Sequence, residues 1–351
     1  MHDQLHEYSG VIHIHSTYSD GSRSIPDIAR IAADVGLDFL MFTDHHTLQP
    51  KRDRLEGWYN GVLVAIGYEI NDEEDLNHYL AFNLDEELPG NLLPADYVRQ
   101  IHEKNGFGII AHPDEKRSAI KEYPPYPWKV WESQHYNGIE IWNQMSEWLE
   151  GLTHFNKYWR VFNPRKSILS PLPETLHKWD EVNQTRKVVG IGGVDAHGHL
   201  YKLWGFFQVT IFRYKVLFKT VRTHILTDQA FAGEGSYNAD IQNLYRNLFN
   251  CRCFISNEYC GDARGFRFWA ENRQQKVHIG GELKFDKYTH LHVNLPQSAI
   301  VHLIKDGKKS ATQKGESLVF EIKEPGLYRT EVYTTNRPWI FSNHIRISTI
   351  K

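Results

Sequence analysis

The sequence predicts an α/β barrel followed by a β-sandwich, and three observations carry that reading. Between residues 10 and 200, six or seven short apolar runs alternate with helical segments. Most of those runs end in a His, Asp or Glu, and α/β barrels place their active-site groups after the C-terminal ends of strands. Beyond about residue 262, strand-like runs separated by turn residues replace the alternation. An open doubly wound sheet would also put ligands at strand ends, but no G-x-G-x-x-G or phosphate loop is present. A barrel lets groups converge from nearly every strand, which these residues require.

The first element sets the pattern. In Gly10-Val-Ile-His-Ile-His-Ser-Thr-Tyr-Ser-Asp20, His13 and His15 alternate with Ile12 and Ile14. Residues two apart in a strand share a face, so both imidazoles project together, with Asp20 on the following loop. The set suits a divalent transition metal. The plainer alternative is two core histidines. Ser24, Pro26 and Asp27 then open a helix, Ile28, Ile31, Ala32 and Val35 supply its buried face, and Gly36 ends it.

Phe39–Phe42 runs into Thr43-Asp44-His45-His46, and Val62–Ile66 into Gly67-Tyr68-Glu69. His78 precedes the strand Tyr79–Phe82. A helix over about 94–104 stops at Asn105-Gly106, and Phe107–Ala111 leads to His112. Gly138–Trp142 ends at Asn143. Aromatic-rich helical segments are expected near 144–162 and 172–183, and Val188–Ile191 leads through two glycines to Asp195-Ala196-His197. Further helical signals lie near 214–224 and 238–249. Phe266–Trp269, Leu291–Val293, Ala299–Ile304, Leu318–Ile322 and Tyr328–Tyr333 read as strands, with turns at Asp306-Gly307 and Pro325-Gly326. The expected division is 1–262 for the barrel with a helical extension and 263–351 for the β-sandwich.

Composition narrows the class. The chain has 351 residues, 41% hydrophobic, long enough for two domains and a large core. A formal charge of −3 gives no basic track for nucleic acid. The 20 histidines would produce some motif-like pairs by chance, so spacing must carry the argument. Cys251, Cys253 and Cys260 are an odd set and argue against a disulfide framework; they read as ordinary thiols ahead of a metal site. No secretory signal or membrane-spanning run is evident, so a cytoplasmic protein without a membrane partner is expected.

The gathered motifs, H-I-H-S-T-Y-S-D, T-D-H-H, G-Y-E, N-H-Y-L, A-H-P and V-D-A-H, stand in an order that resembles the polymerase-and-histidinol-phosphatase (PHP) superfamily. The resemblance spans roughly residues 10–200. It implies a distorted seven-stranded (β/α) barrel binding two or three divalent ions. Carried over position by position, His13, His15, Glu69 and Asp195 would hold one ion. Glu69 would bridge to a second, held also by His78 and His112, while Asp20, His45 and His197 would hold a third. His78, at a strand start, could equally be a surface residue. The tail, with Y-R-T-E-V-Y, R-P-W-I-F-S-N and the R-C-F-I-S stretch near 252–256, is similar to a PHP branch that includes the carbaryl hydrolases.

Several divalent ions on mixed N and O ligands lower the pKa of a shared water and neutralise charge on a phosphoryl or carbonyl oxygen. The expected function is therefore a phosphoesterase acting through metal-bound hydroxide on a small, phosphorylated substrate, with Zn, Mn or Fe as the metal. Glu69 and Asp195 would act through that hydroxide, and Arg23, Lys116 and Arg117 are candidates for contacts to substrate oxygens. Carbamate, ester or amide hydrolysis at the same ions is the nearest alternative, and a non-catalytic metal-containing binding protein a third. Asp44 is either an acceptor for an imidazole or a turn residue. His46 and His199 are candidate proton donors or structural groups. Glu140 reads as structural or substrate-facing. Segment 121–136, with Tyr123, Tyr126 and Trp128, reads as a lid or as packing.

Overall fold

The computed structural model describes residues 5–118, 124–203, 207–210, 212–335 and 337–349. Its first half is built on β1 (His6–Ile14), β2 (Phe39–His45), β3 (Gly57–Tyr59), β4 (Val62–Ile70), β5 (Tyr79–Phe82), β6 (Phe107–Ile110), β7 (Gly138–Asn143) and β8 (Val189–Ala196). Seven of these close a ring. β1 pairs with β2, β2 with β4, β4 with β5, β5 with β6, β6 with β7, β7 with β8, and β8 returns to β1. β3 lies outside, as an antiparallel flap on β4. β5 runs antiparallel to both neighbours, which distorts the barrel from an all-parallel one.

The helices follow from local rules. α1 (Ile25–Asp34) is capped by Ser24, whose side chain accepts from the Asp27 N–H, and buries Ile25, Ile28, Ala29 and Ala32. Gly36 takes φ +73° beyond its end. α2 (Gln49–Arg52) is one turn. α3 (Pro94–Glu103) starts at a proline, which has no N–H to leave unsatisfied. α4 (Gln144–Glu150), α5 (Lys157–Phe162) and α6 (Pro173–Thr185) follow β7, as expected from the aromatic-rich segments.

The region after β8 departs from expectation in part. A two-stranded sheet of β9 (Leu200–Leu203) and β10 (Phe207–Thr210) comes first. The helix expected over 214–224 ends early: α7 covers only Tyr214–Leu217, and β11 (Val221–Thr227) takes the rest. The sequence Val221-Arg-Thr-His-Ile-Leu-Thr227 is rich in β-branched residues and pairs antiparallel with β1. α8 (Tyr237–Phe249) packs Ile241, Leu244 and Leu248 into the core formed by Ile12, Met41, Leu63 and Ile191.

β12 (Cys253–Asn257) continues the β11 edge and pairs with a strand from the chain's end. The C-terminal region contains β13 (Arg267–Glu271), β14 (Lys276–His278), β15 (Glu282–Lys284), β16 (His290–Lys305), β17 (Lys308–Glu321), β18 (Gly326–Thr334), β19 (Arg337–Ser342) and β20 (Ile345–Ser348). Two strands expected separately, around 291–293 and 299–304, are one long β16. A register shift between Asn294 and Ala299 lets its first half pair with β13 and its second with β18. These strands enclose their own core of Phe268, Leu291, Val301, Val332, Trp339 and Ile345.

Asp180 of α6 ties the barrel to this β-rich region. Its two oxygens accept from Arg329 Nε and Nη2 at 2.7 and 2.8 Å, and His344 Nε2 lies 2.7 Å from Oδ1. Among the described residues, no helix is long and apolar enough to cross a membrane.

Candidate metal centre

The chain ends β1 with a bulge rather than with regular alternation. His13 takes φ +67°, and the pairing of β1 with β8 shifts register between Ile12 and Ile14. The His13 and His15 rings still meet, with centroids 5.2 Å apart. His112 and Asp195 also have positive φ, at +26° and +53°. Such backbone costs on the order of 1–3 kcal/mol per residue and persists only where the surroundings impose it. All three residues are members of the ligand set expected from the sequence.

Glu69, at the end of β4 and buried, is the centre of the arrangement. Its Oε2 lies 3.1 Å from His13 Nε2, 3.2 Å from His15 Nε2 and 3.5 Å from His45 Nδ1. Its Oε1 lies 2.6 Å from His78 Nδ1 and 3.5 Å from His112 Nε2. The two oxygens therefore face two different groups of imidazoles. Asp195 Oδ1 is 3.5 Å from His13 Nε2, 3.4 Å from His15 Nε2 and 3.4 Å from His197 Nδ1. Asp20 Oδ1 stands 3.2 Å from His197 Nε2, 3.7 Å from His15 Nδ1 and 3.9 Å from His45 Nε2.

Three sets of ligand-competent atoms result, each within 4.8 Å of one another: His15, Asp20, His45 and His197; His13, Glu69 and His112; and His13, His15 and Asp195. His78 stands outside these sets and joins through Glu69. It is buried rather than at the surface. The sets differ from the expected partition in that His13 and His15 each belong to two of them.

The electrostatics are those of a cation site. Burial opposes charge on His15, but the carboxylates of Asp195 and Glu69, 3.4 and 3.2 Å from its Nε2, outweigh it and push the imidazole up to about 9. Burial likewise opposes charge on His78, yet the charge of Glu69 and hydrogen bonds to Asp75 and Glu69 raise it to about 10. His45 is pushed down to about 4, by burial and then by the charge of His15. Glu69 and Asp195 are held well below the usual carboxylate range by the surrounding histidines, against burial. A buried carboxylate pair thus demands positive charge from its neighbours. Both nitrogens of His15 and Nδ1 of His112 are buried without a hydrogen-bond partner. Unsatisfied imidazoles in a mixed N and O set fit divalent ions such as Zn, Mn or Fe.

A second layer holds these residues. Glu140, buried in the middle of β7, lies with Oε1 3.1 Å from His13 Nδ1. Its Oε2 accepts from the His112 backbone N–H at 2.8 Å and from Asn143 Nδ2 at 2.9 Å. Of the structural and substrate-facing roles open to Glu140, its contacts fit the structural one, behind His13 and His112. A Cβ at Gly193 would overlap Glu140 Oε1, so that glycine permits the approach. Asp44 does not meet an imidazole through a hydrogen bond. It accepts from the Ser16 N–H, Ser16 Oγ and Ser19 Oγ, each at 2.7 Å, and so shapes the loop that carries Asp20. This overturns the imidazole-acceptor reading, because the loop's hydroxyls reach the carboxylate first. Asp75, which sequence reasoning missed, has Oδ1 3.4 Å from His78 Nε2. It lies in an acidic loop that carries no pattern of its own.

The candidate substrate contacts are placed less centrally. Arg23 is exposed. Lys116 is exposed and paired with Glu174 at 2.8 Å. Arg117 Nη1 is 2.5 Å from Glu115, and its guanidinium stands 5.1 Å from the Tyr126 ring centre. Tyr126 in turn stacks on His78 at 4.9 Å, while Trp128 is buried beside Tyr79 and Tyr97. Trp128 is thus a packing residue, while Tyr126 lies against the cluster; Tyr123 lies outside the described residues. His46 Nε2 is 2.6 Å from Asn71 Oδ1, and His199 stacks on His197 at 4.8 Å. Cys251, Cys253 and Cys260 are free thiols and belong to none of the ligand sets.

No family model matches the chain. It is 30% identical over 115 residues to an uncharacterised protein of Methanocaldococcus jannaschii, a match covering 29% of this chain and 66% of that one. Among solved structures it is similar to a two-domain protein from Bacteroides vulgatus containing a predicted PHP-like metal-dependent phosphoesterase. That likeness has 15% identity and a TM-score of 0.45, and covers 97% of this chain and 95% of the other. It is also similar to an amidohydrolase from Chromobacterium violaceum, at 12% identity and a TM-score of 0.34, covering 55% of this chain and 91% of that one.

Proposed function

We propose that the chain is a PHP-like metal-dependent hydrolase that cleaves a phosphoester of a small molecule, with His13, His15, Asp20, His45, Glu69, His78, His112, Asp195 and His197 holding two or three divalent ions. The observation that carries this is Glu69, whose two oxygens face separate groups of imidazoles, as a carboxylate shared between two ions would. Ions bound there would acidify a shared water and neutralise charge developing on the substrate. The protein's part is to set the spacing through Glu69, to orient His13 through Glu140, and to keep Asp195 ionised among His13, His15 and His197. Arg117 is the substrate-contact candidate whose surroundings touch the cluster, through Tyr126 on His78. The division at residues 262 and 263 and a cytoplasmic location belong to the same proposal.

A second reading, hydrolysis of a carbamate, ester or amide, is supported by one observation. Lys116 and Arg117 are both engaged with carboxylates, at 2.8 and 2.5 Å, which lowers the positive charge on offer to a phosphate. The deciding experiment compares an aryl phosphate with an aryl N-methylcarbamate bearing the same leaving group, using Zn- or Mn-loaded protein and Asp195→Asn as control. Faster phosphate cleavage, lost in the control, supports the phosphoesterase. Faster carbamate cleavage replaces it with the second reading. Cleavage of neither, with metal bound, overturns both in favour of a binding protein.

A further inference from the structure

An outward-facing aromatic stripe is the feature that the hydrolase reading leaves unused. Residues 151–173 contain no Asp or Glu. Within them Phe155, Tyr158, Trp159 and Phe162 recur at the i, i+3, i+4, i+7 spacing of one helical face. α5 and the turn before it present that face to solvent, with exposures of 101%, 59%, 47% and 82% in that order, and Leu169 at 53% lies further along the segment. The inward group is a cation instead. Arg160 donates to the Glu147 carbonyl at 3.1 Å and stands 5.6 Å from the Trp148 ring centre. A helix of an ordinary globular domain turns its apolar stripe to the core. Contiguous exposed apolar surface of this kind marks an interaction site.

We propose that this face docks on an anionic lipid surface. Lys157 and Lys166 are exposed within the segment, and no carboxylate of the segment offsets them. A two-fold dimer through this face would set the same uncompensated lysines of two copies against each other. Anionic headgroups supply the missing charge, and Trp and Tyr settle at headgroup level while Phe enters the acyl boundary. The association is peripheral, since no described helix can span a bilayer. It also goes against the sequence expectation of no membrane partner, because hydropathy windows register spanning runs and pass over short stripes. α4 begins directly after Asn143, which bonds Glu140, so the docking segment grows from the same strand end as the metal-site support. The proposal does not depend on the hydrolase reading.

The test is co-sedimentation of the full metal-loaded chain with vesicles of phosphatidylcholine alone and of phosphatidylcholine mixed with phosphatidylserine, at low and high salt. The expected result is binding to the mixed vesicles at low salt, weakened by salt. Trp159→Ser/Phe162→Ser and Lys157→Glu/Lys166→Glu should each bind at least about tenfold more weakly. Their melting temperatures should match the wild type, since all four side chains are exposed. Absence of wild-type binding overturns the proposal, and so does equal binding to the neutral vesicles. A concentration-dependent dimer in light scattering, abolished by Trp159→Ser/Phe162→Ser, also overturns it and makes the face an interface between copies.

Discussion

Glu140 Oε1 lies 3.1 Å from His13 Nδ1, on the side of the ring away from Glu69 and Asp195. The contact fixes which nitrogen of His13 faces the cluster. A carboxylate behind a ligating histidine orients the ring and raises its basicity, and losing it costs roughly 10–100-fold in metal affinity. Glu140→Gln is expected to weaken metal binding by that amount in a chelator competition, with the fold retained. Gly193→Ala should reproduce the defect by displacing the carboxylate. Unchanged metal affinity in both variants would remove Glu140 from the site's support.

Asp44→Ala should act on the loop rather than on an imidazole. Removal of the carboxylate leaves the Ser16 N–H and two hydroxyls without their acceptor, at a cost on the order of 3 kcal/mol. The Asp20, His45 and His197 set should lose its ion first. Metal stoichiometry against added ion, together with urea unfolding, checks both parts.

Stability at low pH should depend on Asp180. Burial raises its carboxyl, but hydrogen bonds from Arg329 and His344 outweigh that and hold it down to about 2. The unfolded chain protonates near pH 4. The pair's contribution is therefore complete above about pH 4 and is lost as the pH falls towards 2. Urea titrations at pH 7 and pH 3 should show a larger acid loss for wild type than for Asp180→Asn. Arg329→Met leaves a buried carboxylate without its cation and should cost about 3–5 kcal/mol at pH 7.

Lys116 and Arg117, adjacent in the chain, should behave differently. Lys116 forms an exposed pair with Glu174, so Lys116→Ala is expected to leave stability and kcat/KM within about twofold. Arg117 joins Glu115 to the Tyr126 face that covers His78, so Arg117→Met should raise KM and shift the substrate comparison. Equal effects would place both on the surface.

The ends of most barrel strands were legible because the apolar run stops at a His, Asp or Glu. His45, Glu69, His112 and Asp195 needed only that pattern to be noticed. α1, α3 and α6 were legible from spacing and from proline or serine starts, and α4 and α5 as one aromatic-rich segment; α2, a single turn, carries no such pattern. The start of β11 resembles a helix in sequence because Leu217, Val221 and Ile225 stand four residues apart, and the partner that makes it a strand, β1, is more than 200 residues away.

The sequence by itself determined the alternating barrel, the β-rich tail and the nine ligand-competent positions, because strand burial and metal-ligand chemistry both leave residue-level signatures. Only the tertiary structure decided what faces what. Glu140 belongs behind His13 and Asp44 beneath the Ser16 loop because barrel closure brings distant strand ends within hydrogen-bond reach. The aromatic stripe of α5 points outward because Arg160 found its partners inside. Periodicity identifies a face, and packing chooses which way it turns.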